Sequence, residues 1–290
     1  MKVFRKEVVP LNKIIDCHVH LPTFDGLSTL EEKKTLLLEA MDRHGVEYAI
    51  VIPDNVKGSA IGDLEECLGL FKDEPRIFVM GTINILKVCP ESIRGLRDHF
   101  LHQRIHGLKI FPGHDPHFPN DSRLIPVFEL LQEYRQPLVI HTGGSSKYPD
   151  DQKYTDPRHI AMIAGTYPDL PIVIAHYYWP QVEYCFEMTI DYPNVYFDTS
   201  GLADEEVLEE TGEERIKNIL EKTMKNNHNK VLFGTDFGMC DIGRHRGLIE
   251  SLNLVENHKK AILSDNGNRL FRLNISTIKE HTPWTVPQKN

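Results

Sequence analysis

Lys13-Ile14-Ile15-Asp16-Cys17-His18-Val19-His20 is the stretch on which the reading of this chain turns. An apolar run of strand composition ends in a His-x-His pair. Residues two apart on extended backbone point to the same face, so both imidazoles can grip one ion. An open doubly wound sheet also begins with a buried strand, but usually follows it with a glycine-rich phosphate loop. Here histidines stand in that place. Further along, short runs rich in Val and Ile alternate with longer amphipathic stretches, the pattern of parallel strands buried on both faces and joined by crossover helices. Strands are expected near Lys13 to His18, Glu47 to Ile52, Ile77 to Ile83, Gly107 to Phe111, Pro137 to His141, Pro171 to His176, Val195 to Thr199 and Lys230 to Thr235. Helices are expected between them, including Leu30 to His44, Leu64 to Lys72, Glu91 to His102, Arg123 to Tyr134, Pro157 to Tyr167, Pro180 to Asp191 and Asp204 to Asn226. The repeat predicts an α/β protein, a single (β/α)8 TIM barrel occupying residues 1–290 as one domain.

Barrel enzymes keep their chemistry at the C-terminal ends of the strands. His18 and His20 end the first expected strand. His141 ends Pro137-Leu138-Val139-Ile140-His141, His176 ends Pro171-Ile172-Val173-Ile174-Ala175-His176, and Asp236 ends Val231-Leu232-Phe233-Gly234-Thr235-Asp236. A lone strand-end histidine is often only a polar residue at the edge of a core. Five such residues at four converging ends point instead to a metal site at the barrel mouth. The loops Pro112 to Ser122, Thr142 to Asp156 and Phe237 to Arg246 would lie over the same mouth, while the tail after Thr282 reads as a surface extension.

Composition narrows the partners. The formal net charge of −9 argues against nucleic acid, which needs clustered Lys and Arg, and favours a small-molecule substrate. No apolar run is long enough to span a membrane, and no secretory signal stands at the N-terminus. Five scattered cysteines without a Cys-x-x-Cys pair fit reduced thiols, so a cytoplasmic enzyme is the expectation.

The ordered motifs Asp16-Cys17-His18-Val19-His20, Gly107-Leu108-Lys109-Ile110-Phe111-Pro112, Leu138-Val139-Ile140-His141-Thr142-Gly143, Ile174-Ala175-His176, Phe233-Gly234-Thr235-Asp236 and Asn266-Gly267-Asn268-Arg269-Leu270-Phe271 resemble those of the amidohydrolase superfamily. They are most similar to the metal-dependent branch that includes aminocarboxymuconate semialdehyde decarboxylase. The resemblance implies that His18, His20, His141 and Asp236 bind one divalent ion, with His176, as general base or water-orienting group, and Asp236 as the catalytic residues. Zn²⁺ suits such donors and lowers the pKa of bound water to roughly 7; Mn²⁺ or another divalent ion is also compatible. In binuclear members a carboxylated Lys bridges two ions. Lys109 is instead expected to line the barrel or touch substrate, together with Tyr177, Arg244 and His245. His114, His117, Tyr178, Trp179 and Arg246 are weaker candidates. An Arg in the last loop could hold a carboxylate by paired hydrogen bonds, which suggests an acid as substrate. TatD-type deoxyribonucleases share the His-x-His pair, but expect a metal-binding Glu near the fourth strand, where this chain has none.

The expected reaction is hydrolysis of an amide, ester or lactone of a small substrate by metal-activated water. Non-oxidative decarboxylation by a carboxy-lyase is the alternative that the same ligands allow. A decayed, non-catalytic barrel is the third reading, which the full set of ligands disfavours. A homodimer would be ordinary for such barrels, though no segment of the sequence carries it.

Overall fold

β-branched residues dominate the short apolar runs, and each run forms a strand: β1 (Ile14–Val19), β2 (Val46–Val51), β3 (Ile77–Val79), β4 (Gly81–Thr82), β5 (Leu108–Ile110), β6 (Leu138–Ile140), β7 (Ile172–Ile174), β8 (Val195–Asp198) and β9 (Val231–Leu232). The computed structural model describes residues 13–24, 26–144 and 149–275. All neighbouring strands pair in parallel, in the orders β1-β2-β3 and β4 through β9. Backbone bonds cross both seams. The Met80 N–H donates to Val51 O and the Gly81 N–H to Gly107 O, so β3 and β4 are one stave interrupted at Met80. The Cys17 N–H donates to Phe233 O and the Asp236 N–H to His18 O, each at 2.8 Å, joining the last strand to the first. The result is the (β/α)8 architecture that the repeat predicts.

The helices are α1 (Leu30–His44), α2 (Leu64–Phe71), α3 (Pro90–Leu101), α4 (Ile125–Tyr134), α5 (Pro149–Thr155), α6 (Pro157–Thr166), α7 (Val182–Thr189), α8 (Glu205–Thr211), α9 (Glu213–Asn226), α10 (Ile242–Ser251), α11 (Glu256–Lys260) and α12 (Asn266–Leu270). Local chemistry sets their ends. Thr29 and Glu32 form a reciprocal capping box at the start of α1, and Asp63 and Glu66 form another at α2. The single helix expected over Asp204 to Asn226 is two, because Gly212 sits at φ 93° between α8 and α9. The expected loop Phe237 to Arg246 turns helical from Ile242, where the Asp241 side chain accepts from the Arg244 N–H. Arg244, His245 and Arg246 are therefore helical residues rather than loop residues.

Two apolar layers result. Alternate strand residues such as Ile14, Val51, Leu108, Ile140, Ile172 and Phe197 pack outward against the helices. Ile15, Ile50, Met80, Val139, Val173 and Leu232 fill the lumen, stoppered by Leu270, Phe271 and Leu273 from the C-terminal end of the described chain. Lys109, Val139, Val173 and Tyr196 stand in register across β5 to β8. Two residues further along, the same faces carry His141 and Asp198. Strand parity thus leads from a packed lumen to a polar mouth. No described helix is long and apolar enough to cross a membrane. The five cysteines are unpaired. The expected extension after Thr282 lies outside the described residues.

Candidate metal centre and active-site cavity

At the end of β1, the His20 Nδ1 lies 2.8 Å from the backbone oxygen of Ile52. A carbonyl can only accept, so Nδ1 carries the proton and Nε2 keeps its lone pair. His18 is held likewise, its Nδ1–H donating to Asp198 Oδ2 at 2.8 Å. Both Nε2 atoms stand 3.5 Å from Asp236 Oδ1, and one ligand atom from each of these three residues lies within 4.8 Å of the others. Two neutral imidazole nitrogens with anchored far sides and one carboxylate oxygen are donors that fit a borderline divalent ion. The close approach depends on Gly234, where an added Cβ would come within 2.8 Å of the His18 Cβ.

A second arm rises from β6 and β7. The His176 Nδ1 lies 3.1 Å from Ser200 O and 2.9 Å from Ser200 Oγ, so it too carries its proton. Its Nε2 accepts from the His141 Nδ1–H at 3.1 Å. His141 consequently presents only Nε2 as a lone pair. It stands outside the three-residue cluster, with its ring 4.9 Å from that of His176 and 4.4 Å from that of His114. His176, Tyr177 and Tyr178 all adopt positive φ, a left-handed run that turns the chain sharply after β7.

Burial sets the protonation states. It pushes the imidazoles of His18 and His20 below the ordinary histidine range, His141 well below it, and His176 down to about 4. For Asp236, burial works against ionisation but the neighbouring His176, His18 and His20 outweigh it, holding the carboxyl down to about 2. Asp198 is likewise held well below the usual carboxylate range, because the adjacent His18 and its hydrogen bond outweigh burial. Burial lowers the Lys109 ammonium to about 8; its Nζ lies 3.4 Å from His18 Nε2.

Two acids that sequence reasoning left without a role support this frame. Asp16 accepts from the Thr235 hydroxyl and from the backbone N–H groups of Thr235 and His18, stitching the strand ends that carry His18 and Asp236. Burial raises its carboxyl to about 7. Asp198 ends Val195-Tyr196-Phe197-Asp198, the same apolar-run-then-polar-residue signal that marks His141. Its partner Ser200 carries no such signal, because nothing in the sequence places it beside His176.

A cavity of 590 Å³ opens above the site. His20, Lys109, His141, His176 and Asp236 line its floor, Leu21, Phe111, Ile61, Val207 and Trp179 give apolar walls, and Asp54, Asp115, Asp204 and Glu206 lie at its edges. His114 lines it as well. Several expected substrate contacts do not. Tyr177 is fully buried, stacked on Phe197 with its hydroxyl bonded to Thr223, because the left-handed turn aims it into the core. His245 is buried on α10, where its Nε2 accepts from the Ala203 N–H. Arg244 pairs with Glu205 at the surface, and Arg246 bonds Glu250 and the His44 carbonyl. His117 is buried with its Nδ1 bonded to Phe118 O. The arginine clamp expected from the last loop is therefore not formed.

Three solved structures share the architecture. An uncharacterised TIM-barrel protein from Bordetella bronchiseptica is 22% identical at a TM-score of 0.72, covering 90% of this chain and 99% of that one. The 2,6-dihydroxybenzoate decarboxylase from Rhizobium is 16% identical at 0.64, covering 91% and 99%. A 5-carboxyvanillate decarboxylase from Novosphingobium aromaticivorans, solved with manganese bound, is 16% identical at 0.65, covering 90% and 96%. No curated protein matches. The amidohydrolase family model matches residues 15–273, from the middle of β1 to just past the lumen stopper, and so spans every strand end that builds the site. The chain belongs to the amidohydrolase family.

Proposed function

We propose that this chain is a carboxy-lyase dependent on one divalent metal ion, removing carbon dioxide from a small aromatic or enolic acid. One observation carries the reading. The cavity floor presents a buried ammonium, Lys109, whereas His176, the imidazole expected to act as base, has both ring nitrogens bonded within the protein. Hydrolysis calls for a group that takes a proton from water. Decarboxylation calls for one that delivers a proton to the carbon losing its carboxyl group. Lys109 is of the second kind, and among the described residues it is the only lysine that lines the cavity, which no described arginine does.

When bound by His18, His20, Asp236 and His141, the ion would supply Lewis-acid stabilisation of negative charge on substrate oxygens. Phe111, Leu21 and Trp179 offer apolar surface to a planar substrate. The bond to the departing carboxylate breaks, its electron pair stays on the substrate carbon, and the Lys109 ammonium protonates that carbon before being reprotonated from solvent. The decarboxylases among the structural matches support the reading, and the manganese in the Novosphingobium aromaticivorans structure supports Mn²⁺ beside Zn²⁺ as the ion. The same reading takes the protein as a cytoplasmic enzyme of small molecules, binding neither nucleic acid nor membrane.

The test is carbon dioxide release from a panel of hydroxylated benzoates by protein loaded with Mn²⁺ or Zn²⁺. Release that falls about 100-fold or more in Lys109→Met is expected. Cleavage of lactones or amides with no carbon dioxide from any acid would put hydrolysis in its place.

A further inference from the structure

Four donors converge on the carboxylate of Asp198. Its Oδ2 accepts from the His18 Nδ1–H at 2.8 Å; its Oδ1 accepts from the His176 backbone N–H at 2.9 Å, the Ser200 N–H at 3.2 Å and the Ser200 hydroxyl at 2.5 Å. Ser200 has one hydroxyl proton and gives it to Asp198, so toward His176 its Oγ can only accept. The Ser200 carbonyl also accepts from the same His176 Nδ1–H. With Nδ1 protonated, the neutral His176 ring offers a lone pair at Nε2, which is taken by the His141 Nδ1–H. His141 is thereby left with its own lone pair at Nε2. An unbroken chain of hydrogen bonds therefore runs from His18, on β1, to His141, past β6.

We infer that Asp198, acting through Ser200 and His176, is a positioning residue that sets the tautomers of His18 and His141 together, so that both present an Nε2 lone pair to one cation. This rests on the reading of these side chains as a metal site, and it assigns His176 a second task, orienting His141. Groups that fix the far side of a metal-binding imidazole typically change metal affinity by 10–100-fold when removed. Asn at position 198 cannot reproduce the carboxylate, because its amide nitrogen would face a donor on one side or the other.

The experiment combines ¹⁵N spectra of histidine side chains, which report which ring nitrogen bears the proton, with competition against a chromogenic chelator for Zn²⁺. Metal-free wild type is expected to show Nδ1–H at His18, His141 and His176. Asp198→Asn is expected to shift the ring resonances of His141, which it does not touch, and to weaken Zn²⁺ about 10–100-fold. Ser200→Ala keeps the backbone carbonyl and should give a smaller change in the same direction, which serves should the first variant not fold. Nε2–H at His141 or His176 in wild type, or an Asp198→Asn protein whose His141 resonances stay in place, would overturn the inference. A wild type with the expected tautomers but no uptake of Zn²⁺ or Mn²⁺ would remove the cation from the statement, and so overturn both it and the metal reading.

Discussion

The two ends of the barrel lumen are made by the same strands and have opposite chemistry. Toward the N-terminal ends, Ile15, Ile50, Met80, Val139, Val173 and Leu232 close around Leu270 and Phe271, a dry core held by apolar burial. Further along, at or just beyond their C-terminal ends, those strands present His18 and Asp198, which are buried, and His141 and Asp236, which are half-buried, above Lys109 in the Val139 layer; hydrogen bonds tie His18 to Asp198 and to Lys109, and His141 to His176. One end stabilises the fold without requiring chemistry. The other gathers charged and polar groups whose burial opposes folding unless every partner is in place. The difference teaches that stability and function are separable along a single strand, and that substitutions should divide accordingly.

The largest expected effect is at the mouth. Metal per chain, measured by elemental analysis after purification without chelator, should be near one in wild type and collapse in His141→Ala, with carbon dioxide release lost in parallel. A wild-type value near zero, unrecovered by added Zn²⁺ or Mn²⁺, would defeat the metalloenzyme reading. At the other end, Phe271→Ala should cost about 3–5 kcal/mol of stability, read from the urea midpoint, and leave metal per folded chain unchanged. Parallel loss of metal in that variant would show that the two ends are coupled.

The smaller effects sharpen the contrast. His176 is depressed from 6.5 to about 4 by burial, and His18, His20 and His141 shift in the same direction. The unfolded chain therefore binds more protons at these groups below 6.5; the contribution of His176, complete above that value, is lost as the pH falls through about 4, and those of the other three are lost in the same direction. Asp16, raised by burial from 3.8 to about 7, works the other way across that whole window. Four histidines against one aspartate give a metal-free protein whose urea midpoint should fall on acidification from pH 6.5. A midpoint that rises would mean that the mouth is held by charged imidazoles. Smallest of all, Arg244→Ala removes an exposed pair with Glu205, and should leave both the urea midpoint and KM unchanged. A raised KM would return the expected arginine clamp to the cavity.

Much of the fold was legible because periodicity is local. Eight apolar runs became staves, and the interruption at Met80 did not alter the order. The structure departs from the expected elements at α5, which forms within the expected loop Thr142 to Asp156, and at the boundaries at Gly212 and Asp241, which a glycine at positive φ and an aspartate cap set. The strand-end grammar that singled out His18, His20, His141 and Asp236 would equally have found Asp198. It could not have found Ser200, nor excluded Tyr177, since both depend on where the chain turns after a strand.

The sequence by itself determined the alternation of strands and helices, and hence which end of each strand could carry chemistry, because side-chain parity follows from covalent geometry alone. Only the tertiary structure decided which polar residues meet. Asp16 and Thr235 are 219 positions apart and His18 and Asp198 are 180 apart, yet each pair is in hydrogen-bond contact. Closing the barrel brings such residues together, and no local pattern records a partner chosen by closure.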